Sequence, residues 1–157
     1  MSFDIKIKNK EQKIKFNYAL NFKANKKLGS KDKNGNSQND GAGVLFVQVL
    51  EKEDDALVNL LQIVDKNFTE NDVLEAVQNY VDNLVDGGMS EEEAYNQIFV
   101  DLKEEMLASG FFVSKIRKYK ENIEKAQQVL ATRKTEDEKL QAEELKKLAE
   151  RITKEIS

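Results

Sequence analysis

The chain contains no proline, and from Asn17 onward its apolar residues recur at helical spacing. Proline breaks helices by losing a donor and clashing with the preceding turn. Without it, turns must come from Gly, Asn, Asp and Ser. Only the start stands apart from a helical reading. Phe3, Ile5 and Ile7 alternate with Asp4, Lys6 and Lys8, and Ile14 and Phe16 alternate with Lys13 and Lys15. Period two is strand geometry. Residues 3–8 and 13–17 therefore predict a β-hairpin, turning through Asn9–Gln12. Its one apolar face must pack on helices, because a lone hairpin is marginal in water.

The helical part is punctuated by caps and breaks. Ala19, Leu20, Phe22, Ala24 and Leu28 predict a short helix ending at Gly29. Residues 30–42 are almost wholly polar and predict a long, mobile loop. Val44–Leu50 is apolar throughout, and periodicity alone does not separate a buried helix from a strand there. Ala56, Leu57, Leu60, Leu61 and Val64 form the next stripe. Thr69 with Asp72 resembles a capping box and opens a helix through Val73, Leu74, Val77, Tyr80, Val81 and Leu84 up to Gly87-Gly88. Ser90 with Glu93 is a second capping box, opening a helix with Ile98, Phe99, Leu102 and Met106 on one face. Ser109-Gly110 breaks the chain again. The expected fold is mainly α with a small N-terminal β-hairpin (α+β), a helical bundle with a long C-terminal helical region.

That last region carries a seam with alternating spacings of four and three: Phe112, Ile116, Tyr119, Ile123, Ala126 and Leu130. It fails at Arg133 and Asp137, and a second stripe runs through Leu145, Leu148, Ile152 and Ile156. The register break predicts a bend, short loop or frayed tail after Thr132. Hence the expected domains: 1–131, hairpin plus helical body, and 132–157, an amphipathic extension. Phe112, Ile116, Tyr119, Ile123, Leu130, Leu145, Leu148, Ile152 and Ile156 are the candidate partner-binding residues. For Phe112 and Ile116 core packing is the strong alternative.

Composition narrows function. The 157 residues suit one domain, and 39% hydrophobic against 34% charged residues allows a small core under a very polar surface. Cys, His and Trp are absent, which removes disulfides, thiol nucleophiles, Cys-based zinc sites and imidazole acid–base chemistry. No phosphate-binding glycine loop and no Asp-rich calcium loop is present. Glu91-Glu92-Glu93 is better read as acids in a first helical turn than as metal ligands, since consecutive helical residues diverge. The expectation is a non-enzyme without cofactor or metal. No signal-peptide segment and no membrane-length apolar run is seen, so the expected place is the cytoplasm, with no membrane partner.

Charge is sorted along the chain. Residues 1–35 hold 10 Lys against 3 acidic residues, net +7; residues 36–111 hold 3 Lys against 17 acidic, net −14; residues 112–157 hold 12 basic against 9 acidic, net +3. Either the basic start folds against the acidic middle, or unlike regions of neighbouring copies attract and give a homo-oligomer. Nucleic acid is not expected as a partner. The protein is net acidic, and its arginines all lie in the C-terminal region.

The order of segments resembles the tail assembly chaperones of long-tailed phages and prophages of Gram-positive bacteria. The resembling stretches are FNYALNFKANKKLG (16–29), GVLFVQVLEKEDDALVNLLQIV (43–64), VLEAVQNYVDN (73–83) and LKEEMLASGFFVSKIRKYKE (102–120), together spanning roughly residues 3–125. The loop at 30–42 and the tail beyond about residue 131 are longer than the family core. The resemblance implies a morphogenesis factor that binds the tape-measure protein, shields its helices, and assists assembly of the tail-tube protein around it. Competing readings are an acidic helical adaptor or inhibitor of a host factor, and an enzyme accessory subunit.

Overall fold

A computed structural model describes residues 2–133 and 135–157. Among them are seven helices and a two-stranded antiparallel hairpin, with 71% of the chain helical. The fold is mainly α with a small β-hairpin. The chain divides into two compact units, Met1–Phe112 and Val113–Ser157.

The hairpin pairs β1 (Phe3–Ile7) with β2 (Lys10–Ile14), in the register Phe3↔Ile14, Ile5↔Gln12 and Ile7↔Lys10. The turn is two residues long, not the four expected. Lys8 (φ 53°) and Asn9 (φ 62°) both take the left-handed conformation, which matches the twist of paired strands. A two-residue turn keeps Ile14 and Phe16 on the face of Phe3, Ile5 and Ile7, and all five are buried.

α1 (Tyr18–Leu28) starts at Asn17, whose side chain accepts from Leu20 N at 3.1 Å. Gly29 ends it, but not through a left-handed turn, since its φ is −56°. Space is the reason: a Cβ there would lie 2.1 Å from Ser37 Oγ and 2.4 Å from Asn25 O.

The following loop is shorter than expected and has a defined hydrogen-bonded route. Asp32 Oδ1 accepts from Asn34 N (2.8 Å) and Asn36 N (3.0 Å), Lys31 bridges Ser37, and Ser37 Oγ donates to Asn25 O at 2.7 Å. α2 (Gly41–Leu50) then begins three residues before the predicted apolar segment and is a helix, not a strand. Gly41 explains the early start. A Cβ on it would stand 2.3 Å from the Ala24 backbone, and Gly41 N donates to Asn25 Oδ1 at 2.9 Å. The small residues that read as loop are the close crossing of α1 and α2.

α2 is the central helix and touches α1, α3 and α5. Leu45, Phe46, Val49 and Leu50 are buried in it. α3 (Asp54–Val64) buries Ala56, Leu57, Leu60, Leu61 and Ile63. α4 (Glu70–Asp86) opens with the expected reciprocal capping box. Asp72 N donates to Thr69 Oγ1 at 3.1 Å, and Thr69 N to Asp72 Oδ2 at 2.9 Å. α5 (Glu91–Ala108) is capped by Ser90, which accepts from Glu93 N at 3.2 Å. The Ser90 hydroxyl also donates to the Glu93 carboxylate, so the reciprocal half runs side chain to side chain.

Ile98, Phe99, Leu102 and Met106 form the buried face of α5 as expected. β1 lies against α4 and α5, with Phe3 stacked on Tyr80 at 5.6 Å. At the Ser109 break, the hydroxyl donates to Phe16 O at 2.7 Å, and Phe112 meets Phe16 edge-on at 5.2 Å.

α6 (Gly110–Ala131) spans the boundary between the units, and α7 (Glu136–Ile156) follows. The expected division at 131/132 falls at the turn between these helices, whereas the compact units part at Phe112/Val113. Thr135 caps α7, accepting from Glu138 N at 3.2 Å. Within the second unit, Glu124, Gln127 and Gln128 of α6 and Lys146, Ala149, Glu150 and Thr153 of α7 line one groove, which sets the two helices side by side.

Candidate protein-binding surfaces

The nine residues marked by the C-terminal seam divide by burial. Phe112, Ile116, Ile123 and Ile152 are buried, Ile152 completely. Tyr119, Leu130, Leu145, Leu148 and Ile156 are half-covered. On α7, Ile152 is spent inside the folded chain together with Ala142 and Ala149, while Leu145, Leu148 and Ile156 keep part of their surface open. Helical spacing identifies an apolar face but does not say whether the chain itself covers it.

Two apolar surfaces in the first unit remain open. One lies on α1. Tyr18 is 69% exposed and Phe22, one turn on, is 49% exposed. Phe111 joins them, meeting Tyr18 edge-on at 6.0 Å. The Lys26 ammonium sits over the Phe22 ring at 4.8 Å, a cation–π contact. Every charged residue of α1 is a lysine, and among the described residues neither Lys23 nor Lys26 forms an ion pair. The signal was present in the sequence: Tyr18, Phe22 and Lys26 recur at i, i+4 and i+8, on the face opposite Leu20 and Ala24.

The other is a groove of about 470 Å³ between α3, α4 and α5. Leu57, Val58, Val73, Leu74, Val77 and Val81 give it an apolar lining, and its charged residues, Asp54 and Glu91, are both acidic. Leu74 is 58% exposed. α4 has a wider apolar arc than its core contact uses. Val73, Ala76 and Val81 are buried, while Leu74 and Val77 spill onto the groove side. Tyr95 closes the rim by donating to Asp54 Oδ1. Burial and that carboxylate push the Tyr95 phenol up to about 12, so it stays a donor at any physiological pH.

A third cleft, of about 520 Å³, lies between the hairpin and the polar face of α4, lined by Lys6, Lys8, Asp72, Glu75, Asn79 and Asp82. Lys8 stands 4.0 Å from Asp72. Mixed charge on exposed side chains suits solvent as well as any ligand. Among the described residues, no group of three or more acidic residues is placed to hold a metal ion, and no helix is long and apolar enough to cross a membrane. No protein family, curated protein or solved structure matches the chain.

Proposed function

We propose that the chain is a phage tail assembly chaperone that binds the tape-measure protein in the bacterial cytoplasm and assists assembly of the tail-tube protein. The observation that carries the reading is the α3–α4–α5 groove. It is an apolar trough with an acidic rim on a heavily charged helical body. Such a trough accepts the apolar face of an amphipathic helix, the segment type that a long coiled protein exposes before assembly. Leu74 and Val77 follow one side of α4 and would supply the anchors, above the buried Val73 and Val81. Solubility comes from the charge around them, and no bond-making group is needed. The resemblance of segment order along residues 3–125 supports the same reading.

Co-expression with the tape-measure protein, followed by affinity capture, tests it. Wild type should retain the partner, and Leu74→Asp should lose it while keeping a cooperative melt. Undiminished capture by Leu74→Asp would remove the groove from the mechanism. The second reading, an acidic adaptor or inhibitor, draws on the same rim and on the net −14 of residues 36–111. It requires that a host protein with a basic surface be captured in place of the tape-measure protein.

A further inference from the structure

The side chains of the cleft between the hairpin and α4 do not separate ligand from solvent, but its backbone does. A smaller cleft of about 220 Å³ continues it and shares Lys6, Ala76, Asn79 and Asn83 with it. One wall of the smaller cleft is Asp4, Ile5 and Lys6 in succession. Side chains alternate across a strand, so three consecutive residues on one wall mark its edge, not its face. The polarity of that edge follows from the turn. Where a two-residue turn joins two strands, the flanking residues, here Ile7 and Lys10, exchange hydrogen bonds, and such pairs alternate with open ones. Phe3, Ile5 and Ile7 therefore bond inward to Ile14, Gln12 and Lys10. The N–H and C=O groups of Asp4 and Lys6 point away from β2, and among the described residues no backbone group outside the hairpin bonds to them.

A strand edge beside a helix takes up extended peptides, with main-chain bonds for affinity and alternate side chains for selection. The lengths agree. β1 holds five residues, about 17 Å at ~3.3 Å per residue, and the lining of α4 from Asp72 to Leu84 runs about 18 Å at ~1.5 Å per residue. Charge names the occupant. α4 carries Glu70, Asp72, Glu75, Asp82 and Asp86 and no lysine or arginine. Lys8 and the Thr69 N–H engage Asp72, whereas Glu75 and Asp82 form no ion pair among the described residues. We propose that the edge of β1 and the facing wall of α4 bind an extended basic segment of another protein, which adds to the hairpin as a third strand. Alternate residues of that segment turn towards α4, so lysine or arginine at every second position meets Glu75 and Asp82. Tyr80 and Leu84 seat an aliphatic residue at the far end. The residues between lie beside Lys6 and Lys8, where hydroxyl side chains avoid like charge.

Fluorescence anisotropy with three synthetic peptides tests this: seven residues of alternating lysine and threonine ending in valine, the same with glutamate for lysine, and the lysine peptide N-methylated along its backbone. The lysine peptide should bind the full chain and shift the amide resonances of Asp4 and Lys6. The other two should bind at least ~10-fold more weakly, one losing the charge match and the other its main-chain donors. Lys6→Pro deletes the outward N–H at a place where an edge strand tolerates proline, and should weaken binding by the same factor with a cooperative melt. Removing that lysine would strengthen a purely electrostatic contact, so the loss is specific to main-chain pairing. Glu75→Lys with Asp82→Lys serves if Lys6→Pro fails to fold, and should reverse the preference towards the glutamate peptide. No binding of the lysine peptide, equal binding of either control peptide, unchanged binding by folded Lys6→Pro, or no reversal in the lysine variant would each overturn the proposal. So would Asp4 and Lys6 shifts that follow protein concentration alone, which would put a second copy on the edge. The site lies on the side of α4 away from Leu74 and Val77. Leu74→Asp should therefore bind the peptide like wild type, and failure here leaves the chaperone reading standing.

Discussion

The two compact units treat their apolar residues differently. In Val113–Ser157 the buried supply is narrow: α7 buries one stripe of Ala142, Ala149 and Ile152, half-covers Leu145, Leu148 and Ile156, and leaves Leu140 exposed. In Met1–Phe112 the supply exceeds what one core can use. α2 is apolar but for Gln48 and mostly buried, while α1 and α4 carry second apolar faces that the chain leaves open. The stripe around Ile152 is consumed by folding, whereas the second faces of α1 and α4 stay open. Binding is therefore expected on the open faces of the unit with the larger core, with the α7 stripe around Ile152 held by the fold.

The sharpest way to break this contrast is Ile152→Asp. If the stripe of α7 were a free docking face, the change would be silent in a melt. Ile152 is 0% exposed, so an unpaired carboxylate there should cost about 3 kcal/mol or more. Hydrogen exchange should show protection lost in α7 and retained in α2. An unchanged exchange pattern would restore α7 as a docking helix.

Gly41→Ala should come next. The added methyl meets backbone at Ala24, which cannot swing aside, so about 2–3 kcal/mol should be lost through overpacking. Chemical denaturation measures it, and a neutral result would mean that α1 and α2 cross less closely.

Thr69→Ala removes one half of the α4 capping box and should cost about 1 kcal/mol. The partner half carries a pH signature. The Thr69 N–H holds the Asp72 carboxyl below its ordinary value of 3.8. A carboxyl lowered on folding stabilises above its unfolded pKa, and that contribution fades as pH falls through about 4 towards the folded value. Melts of wild type and Asp72→Asn should therefore converge in acid and part near neutrality.

The smallest effect is expected at the surplus faces. Phe22→Ser or Leu74→Ser should change stability by no more than about 0.5 kcal/mol, as for other exposed positions. A larger loss would place these side chains in the fold.

Much of this architecture was legible beforehand, for identifiable reasons. The α4 and α5 starts were readable because Thr69–Asp72 and Ser90–Glu93 are local hydrogen-bonding patterns that need no tertiary context. The hairpin faces were readable from alternation, but the turn was misplaced because Lys8-Asn9 lacks the glycine that usually marks a two-residue turn. Gly41-Ala42 reads as loop in the sequence because small residues signal a close helix crossing only once the neighbour is known. The seam residues were recognised as apolar, yet coverage depends on what packs alongside. Coverage likewise decides Phe22, which helical spacing groups with Leu20 and Ala24 but which stays open beside Tyr18.

One contact sets an order of events during synthesis. The Ser109 hydroxyl closes on the carbonyl of Phe16 across 93 residues, and the hairpin lies against helices formed from residues 70–108. The strands emerge first and receive their cover last. At ~5–20 residues per second, Phe3, Ile5 and Ile7 wait roughly 5–20 s for α4 and α5. During that interval Lys6, Lys8, Lys13 and Lys15, set between the apolar positions, act as gatekeepers against edge-to-edge pairing of nascent chains. The lysine-rich opening thus protects the newborn polypeptide before the folded body exists.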